Sequence, residues 1–536
     1  MALASVLLTY LASNWLKISL VLVVTYVTRY YYNYYNRKNP LPGPFPLPIL
    51  GNLLQVNSDF ALWADTLQEK YGDMFEVYLG SQRHIWLGRA DLVEKIYSAS
   101  TKSNYFIHQP DSHGGLAELD MADKGLVLNC DLNAWKLNRK FLTTSLMASS
   151  FLKQSFDETK ARFAEIESYW AKFGHDKEFD FPKWMTRFFT DTTMVMTTGR
   201  KATASSAYYQ ELSRELNNDN NKNNNNKIEP AETEVFLDHL MTWEHSMKFF
   251  VLIPPILRHY ILYYYNEKFK QNKAWLDEYL FGLIRNRKLE IERTAENVPL
   301  HMNVLTLLVI ANTPRGMKAE MKIDVPRSLT DKEISSNMLE VFAGGIETTA
   351  NSVSFILYYL SKHSQYRERF LQEIQSILGD DINTPLNYEH LDKFVFLDAI
   401  IKESARLNPA ISLFFRTAAN DDTIGGMDWD AGTMFFTNFH GIHMNKAHWK
   451  DPKEFNPERF LKGADPIPKF ALMQFGAGMR MCPGRHWALL QIKTLLILLY
   501  RRYEVELADK NAPLNHVYTV VNHVYDLNIK FTPKYK

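Results

Sequence analysis

Between Pro326 and Pro385 the chain contains no proline, and within that interval Thr330-Asp331-Lys332-Glu333 has the form of a helix start. A threonine at the cap with a glutamate three residues on satisfies two backbone donors reciprocally. The stretch that follows predicts one helix over Asp331 to Lys362. At 1.5 Å per residue it is roughly 48 Å long, enough to cross a whole domain. Most of the remaining chain also has helical character, so the expected fold is a large, mainly helical body. The composition agrees: 46% of the 536 residues are apolar and 23% are charged, which is ordinary for a globular protein and excludes disorder or a collagen-like fibre. Inside the long helix sits Ala343-Gly344-Gly345-Ile346-Glu347-Thr348-Thr349. Two glycines in a helix interior cost about 1–2 kcal/mol. That cost makes sense where a partner must approach the backbone closely or where the helix must open.

Charge and cysteine content narrow the function classes. Sixty-one Lys and Arg against 60 Asp and Glu leave a net charge of +1, so no global field favours nucleic acid. Two cysteines, Cys130 and Cys482, in 536 residues are too few for a disulfide framework and point to a reducing compartment.

The N-terminal part has a different character. Leu3 to Val27 is mostly apolar and long enough as a helix to span a bilayer core of about 30 Å. Lys17 interrupts it, and Trp15, Tyr26 and Tyr30 to Tyr32 resemble interfacial aromatic belts. Arg29, Arg37 and Lys38 follow, which by the positive-inside rule leaves the rest of the chain cytoplasmic. The apolar run is too long for a cleaved signal peptide and lacks a small-residue cleavage site. An anchor lying in the membrane surface is the remaining rival, because Asn14 and Lys17 sit awkwardly in a spanning helix.

Pro40, Pro42, Pro44, Pro46 and Pro48 then fall within nine residues, giving a stiff, extended hinge. The expected organisation is an anchor over 1–38, a hinge over 39–52 and one catalytic domain over 53–536. Anchor and domain should behave as independent units. Residues 217–227 contain eight asparagines and should form a surface loop.

The chemistry concentrates at Phe475-Gly476-Ala477-Gly478-Met479-Arg480-Met481-Cys482-Pro483-Gly484. Gly478 and Gly484 allow tight turns and close packing. Pro483 suits the first position of a helix running through Arg485 to Arg501. Cys482 then lies at a helix N-terminus, where backbone N–H groups favour a thiolate. This F-x-x-G-x-R-x-C-x-G pattern resembles the haem-ligand loop of the cytochrome P-450 monooxygenases. Three more signatures follow the same family order. Glu403-Ser404-Ala405-Arg406 is similar to its E-x-x-R, and Phe455 to Phe460 contains the Arg459 that completes a structural Glu403, Arg406, Arg459 cluster. Trp135 and Arg139 match W-x-x-x-R, with Asn138 where the family commonly has histidine, and Arg416 matches a third arginine.

The resemblance covers Pro40 to the C-terminus and implies the triangular, mainly α cytochrome P-450 fold with a small β-rich region. Ile424 to Phe439 looks like a hairpin of that region. The resemblance also implies haem b with Cys482 as axial thiolate. Trp135, Arg139, Arg416 and Arg480 would hold the haem propionates, and Phe475 belongs to the cofactor loop. Thr348 would act on bound oxygen and Glu347 would relay protons to it. The implied reaction is monooxygenation of a lipophilic substrate. No G-x-G-x-x-G fingerprint is present. Electrons from NADPH are therefore expected through a separate diflavin reductase at the endoplasmic reticulum, with cytochrome b5 as a candidate second donor. The rival functions are a reductase-independent haem-thiolate isomerase or dehydratase, and a non-catalytic haem-binding sensor. Both are disfavoured by the intact Glu347-Thr348 pair. Candidate pocket walls are 105–128, 236–261 and 409–415, with a lipid-facing access region around Leu252 and Tyr263 to Tyr265.

Overall fold

The computed structural model describes the chain apart from residues 1, 58, 98–103, 106–113, 123, 175–176, 217–230, 296, 311, 314–326, 519–520 and 535–536. The asparagine-rich loop lies outside the described residues. Helices that matter for the site are α1 (Ala2–Tyr35), α2 (Leu132–Leu146), α3 (Phe181–Thr198), α4 (Glu232–Leu252), α5 (Tyr263–Arg293), α6 (Asp331–Lys362), α7 (Val395–Leu407) and α8 (Arg485–Arg502). The fold is mainly helical with small sheets. The bounds of α6 are those expected, and its capping box forms in full: the Glu333 N–H donates to Thr330 Oγ1, and the Thr330 N–H donates to Glu333 Oε2.

Helix α6 runs unbroken through Gly344 and Gly345, so the glycines do not open it. They serve different ends. A Cβ on Gly345 would lie 3.3 Å from the Thr193 side chain on α3, which is tight, so glycine here lets the two helices pack closely. A Cβ on Gly344 would meet nothing within 4 Å. That side of the helix faces open space in the middle of the molecule.

The largest sheet has the order β1 (Met74–Leu79), β2 (Gln82–Leu87), β6 (Met434–Asn438), β3 (Leu413–Thr417). β2 and β6 are parallel, and the other pairs are antiparallel. Across the parallel pair Trp86 stacks on Phe436 with ring centroids 4.8 Å apart. The expected hairpin forms from β4 (Asp422–Ile424) and β5 (Met427–Trp429). Gly425 and Gly426, both at positive φ, make its turn. The rest of the predicted segment leaves the hairpin as β6 and joins the main sheet. A third hairpin, β7 (His516–Tyr518) and β8 (Asn522–Val524), lies against α6, where the Val524 N–H donates to Asn351 Oδ1 at 2.9 Å.

Among the described residues, no helix is long and apolar enough to cross a membrane. What α1 does present is an apolar run, Leu20 to Val24, with each side chain more than half exposed.

The end of α1 packs on the body. Arg37 Nε lies 2.6 Å from Glu76 Oε1, and Arg83 Nη2 lies 2.5 Å from Glu76 Oε2, with Glu76 itself buried on β1. Tyr34 packs edge-on against Phe45 and Tyr78. The proline segment is docked as well, since the Glu76 N–H donates to Pro42 O and the Leu41 N–H to Glu76 Oε2. A buried carboxylate needs cations beside it, and this one takes one from the body and one from the end of α1.

This difference predicts the outcome of a simple comparison. Arg37→Ala leaves Glu76 with one of its two cations and should lower unfolding free energy by roughly 1–3 kcal/mol. Lys38→Ala removes only an exposed pair with Asp430 and should cost less than about 1 kcal/mol. Urea unfolding of both variants checks the ranking.

Candidate functional site

The loop before α8 is built by two glycines and two backbone bonds. Gly476 and Gly478 both adopt positive φ, near 70°, which side chains rarely tolerate. The Gly476 N–H donates to Met473 O, and the Cys482 N–H returns to Phe475 O at 3.0 Å. The loop closes on itself and presents the Cys482 side chain. Helix α8 begins at Arg485 with Gly484 as its cap, two residues later than Pro483 implied. Cys482 still lies at the helix start, and the Gly484 and Arg485 N–H groups point at its sulfur.

The Cys482 sulfur is deep in the molecule yet open to the space around it. Burial pushes its thiol pKa up, while the two N–H groups and the Arg139 and Arg485 cations pull the other way. Burial prevails, so ionisation here calls for a further positive charge at the sulfur.

Arg139 and Trp135 come from α2, whose cap Asp131 accepts from the Asn133 and Ala134 N–H groups. Trp135 is buried, and the Arg139 and Arg480 guanidiniums lie 5.9 and 5.3 Å from its ring centroid. Arg416 projects from β3 and is buried against Tyr97 and Phe414. Arg480 feels the charges of both Arg416 and Arg139, and burial together with that repulsion pulls its pKa down to about 9. Burial likewise lowers Arg139 and Arg416. Among the described residues no carboxylate forms an ion pair with Arg139 or Arg416. Arg480 is engaged: it donates to Leu126 O at 2.8 Å and to Asn129 O. Arg139 and Arg416 are thus cations held away from solvent with no ion-paired carboxylate among the described residues, an arrangement that an anionic group would stabilise.

Helix α6 runs beside α8, where a Cβ on Gly345 would lie 3.7 Å from the Trp487 ring. Gly344 is exposed and Thr348 half-buried, although the helix around them is buried. Thr348 Oγ1 donates to Gly344 O at 2.6 Å, leaving its lone pairs open. Glu347 points elsewhere: its carboxylate is buried, with Oε2 3.6 Å from His523 Nε2 on β8. Asn138, standing where a histidine is common, is fully buried. It ties α2 to α6, accepting from Asn337 Nδ2 and donating to Ala134 O.

Behind the cysteine loop the predicted cluster is present. Glu403 accepts two 2.8 Å bonds from Arg406, both side chains being fully buried, and Arg459 Nε stands 3.4 Å away. Arg406 also donates to the carbonyls of His443, Pro452 and Glu454.

The family model for cytochrome P450 matches residues 41–531. The chain belongs to the cytochrome P450 family. Cytochrome P450 4c3 of Drosophila melanogaster is 24% identical over 514 residues, covering 92% of this chain and 89% of its own length. Cytochrome P450 3A25 of Mus musculus is 24% identical over 499 residues, covering 92% and 91%. A bifunctional cytochrome P450/NADPH–P450 reductase of Gibberella moniliformis is 23% identical over 489 residues, which are 90% of this chain and 40% of that protein.

Membership of the cytochrome P450 family implies haem held through a cysteine thiolate, and the residues present fit it. Cys482 offers a thiol at a helix start, Arg139 and Arg416 are in no ion pair with a carboxylate among the described residues, and a side chain at Gly344 would meet nothing within 4 Å. An iron porphyrin with two carboxylates suits a thiol and cations of this kind.

Several contributors left no mark in the sequence. Glu340 on α6 accepts from the Leu126 and Val127 N–H groups, and burial raises its pKa to about 7. With Arg480 it clamps residues 126–129 from two sides. His443 Nε2 accepts the Met473 N–H at 2.8 Å, linking the Arg406 cluster to the cysteine loop. No spacing rule singles out either residue. Of the expected pocket walls, Phe236 proves to be core, packed on Phe342 of α6 with centroids 4.9 Å apart. Tyr105 is buried against Phe435, while residues 106–113 lie outside the described residues. Tyr263 to Tyr265 are exposed at the start of α5.

His443 makes the loop acid-sensitive. Burial, with the His440 and Arg406 charges, pushes its pKa down to about 3. The unfolded chain takes up a proton near pH 6.5, so it binds more protons than the folded chain between those values. Stability should therefore be full above about pH 6.5 and fall as pH drops, by up to about 1.4 kcal/mol per unit. Unfolding midpoints measured from neutrality to about pH 5 should fall less steeply for His443→Gln than for the wild type.

Proposed function

We propose that this chain is a membrane-associated haem-thiolate monooxygenase that inserts one atom of O2 into a lipophilic substrate. The observation that carries this reading is the grouping of Cys482, at the start of α8, with the buried Arg416 and the half-buried Arg139 and Arg480, which feel one another's charges. Cys482 would be the axial ligand. Arg139, Arg416 and Arg480, with Trp135, would hold the propionates, Phe475 would position the ligand loop, and Thr348 with Glu347 would serve oxygen chemistry. Haem with a thiolate ligand supplies electron density that favours O–O cleavage.

The protein's own residues do the rest. Phe475 O accepts the Cys482 N–H and so fixes where the sulfur points. Arg139, Arg416 and Arg480 would neutralise the two carboxylates of the group. Thr348 Oγ1, whose own proton is donated to Gly344 O, would accept a hydrogen bond and so hold a proton donor in place, where positioned proton transfer is worth about 10²–10⁴-fold.

Electrons would come from NADPH through a separate diflavin reductase. The fungal relative, which joins a P450 and an NADPH–P450 reductase in one chain by name, supports that pairing. The exposed apolar run on α1 and the exposed Ile256, Tyr260 and Ile261 support contact with a lipid surface, taken here to be the endoplasmic reticulum facing the cytoplasm.

Two substitutions test the reading. Cys482→Ser should abolish the red-shifted carbon monoxide difference band of the reduced protein, and a full band in the variant would remove Cys482 as ligand. Thr348→Ala should keep that band and keep consuming NADPH with a reductase, while product per NADPH falls by about tenfold or more and hydrogen peroxide rises. An unchanged ratio of product to NADPH would mean that Thr348 only caps helix backbone.

A further inference from the structure

Helix α4 brings a second carboxyl group to Glu347. Glu244 lies beside Glu347, close enough to feel its charge. Both oxygens of Glu244 and Oε2 of Glu347 are buried, and among the described residues no donor makes a hydrogen bond to any of the three. Two ionised carboxylates cannot share such a place: their repulsion adds to the cost of leaving each without a donor. A single proton between them removes both penalties at once.

The surroundings lead outward. His523 Nε2 lies 3.6 Å from Glu347 Oε2, and the His523 ring is only partly covered. His245, one residue after Glu244 on α4, is exposed, and its ring lies over that of His523 with centroids 5.8 Å apart. The other charged group facing this cluster is Lys248 on α4, which has Asp59 as its own nearby anion. Glu347 is followed in the chain by Thr348, on the open face of α6.

We propose that Glu244 and Glu347 hold one shared proton at neutral pH, and that this pair is the proton store for the distal face, refilled from solvent through His523 and His245. It rests on the monooxygenase reading above. Reducing O2 so that one atom enters substrate and the other leaves as water consumes two electrons and two protons. The reductase supplies the electrons, and the store passes on a proton and is reprotonated from water, so charge and atoms balance. Burial and contact with Glu347 both raise the pKa of Glu244. Burial, with His245 and Lys248, keeps His523 below its ordinary value, so it is a neutral imidazole able to accept a proton on one nitrogen and give one from the other. Glu244 acts through Glu347 and is a positioning residue.

Infrared spectroscopy of the holoenzyme tests this directly. The wild type should show, at neutral pH, the carbonyl stretch of one buried protonated carboxyl that shifts in heavy water and disappears as pH is raised. Glu244→Gln should lose that band at neutral pH, because an amide can donate to Glu347 without a shared proton, and Glu347→Gln should lose it as well. In Glu244→Gln the alkaline fall in product per NADPH should move to lower pH, a change that a merely structural role would not produce. A band absent from the wild type, or retained in both variants, overturns the proposal. Should either variant fail to load haem, the wild-type titration with the other variant decides. The carbon monoxide spectrum and product assay of the wild type report separately on the monooxygenase reading, which can fail while the shared proton stands.

Discussion

The buried pair of Glu403 and Arg406 is the interaction from which the cofactor side of this molecule hangs. Neither side chain touches solvent, so each charge is tolerable only because the other is there. Arg406 gives its remaining donors to the carbonyls of His443, at the end of the short helix Phe439–His443, and of Pro452 and Glu454, while Glu403 also takes the Asn456 N–H. One ion pair therefore pins the end of a helix to the irregular backbone that follows it. His443 extends that hold to Met473, and from there the chain runs directly into the cysteine loop.

A second constraint runs the other way, from what the interior lacks. Arg139 and Arg416 are held away from solvent with no ion-paired carboxylate among the described residues, and burial lowers the pKa of both. Arg480 shows the tension best, because it donates to backbone carbonyls of residues 126 and 129 while repelled by Arg416 and Arg139. The clamp of Glu340 and Arg480 on residues 126–129 joins the distal helix to the cysteine loop. The two walls of the site are thus coupled before any ligand binds.

Much of this was legible from residues alone. Thr330 and Glu333 marked the start of α6, and proline spacing bounded it. The cysteine loop was legible because three residue types with special backbone or chemical demands, glycine, arginine and cysteine, recur there at short fixed intervals. The helix start at Pro483 was misplaced because proline suits a first turn but does not compel one, and here Gly484 caps instead. The anchor was taken as separable because the prolines lack donors. Nothing in the sequence revealed that Glu76 would be buried and draw Arg37 onto it.

The sequence by itself determined the elements whose signals are local: the capped helix, the glycine turn of the β4–β5 hairpin, the loop carrying Cys482 and the family to which the chain belongs. Tertiary structure alone decided the meetings between distant residues. Glu244 and Glu347 are separated by more than a hundred positions, as are Glu340 and Arg480, and no periodicity links them. Each meeting depends on which helix faces which, and its consequence arises from removing water around charges that the sequence shows only as ordinary glutamates and arginines.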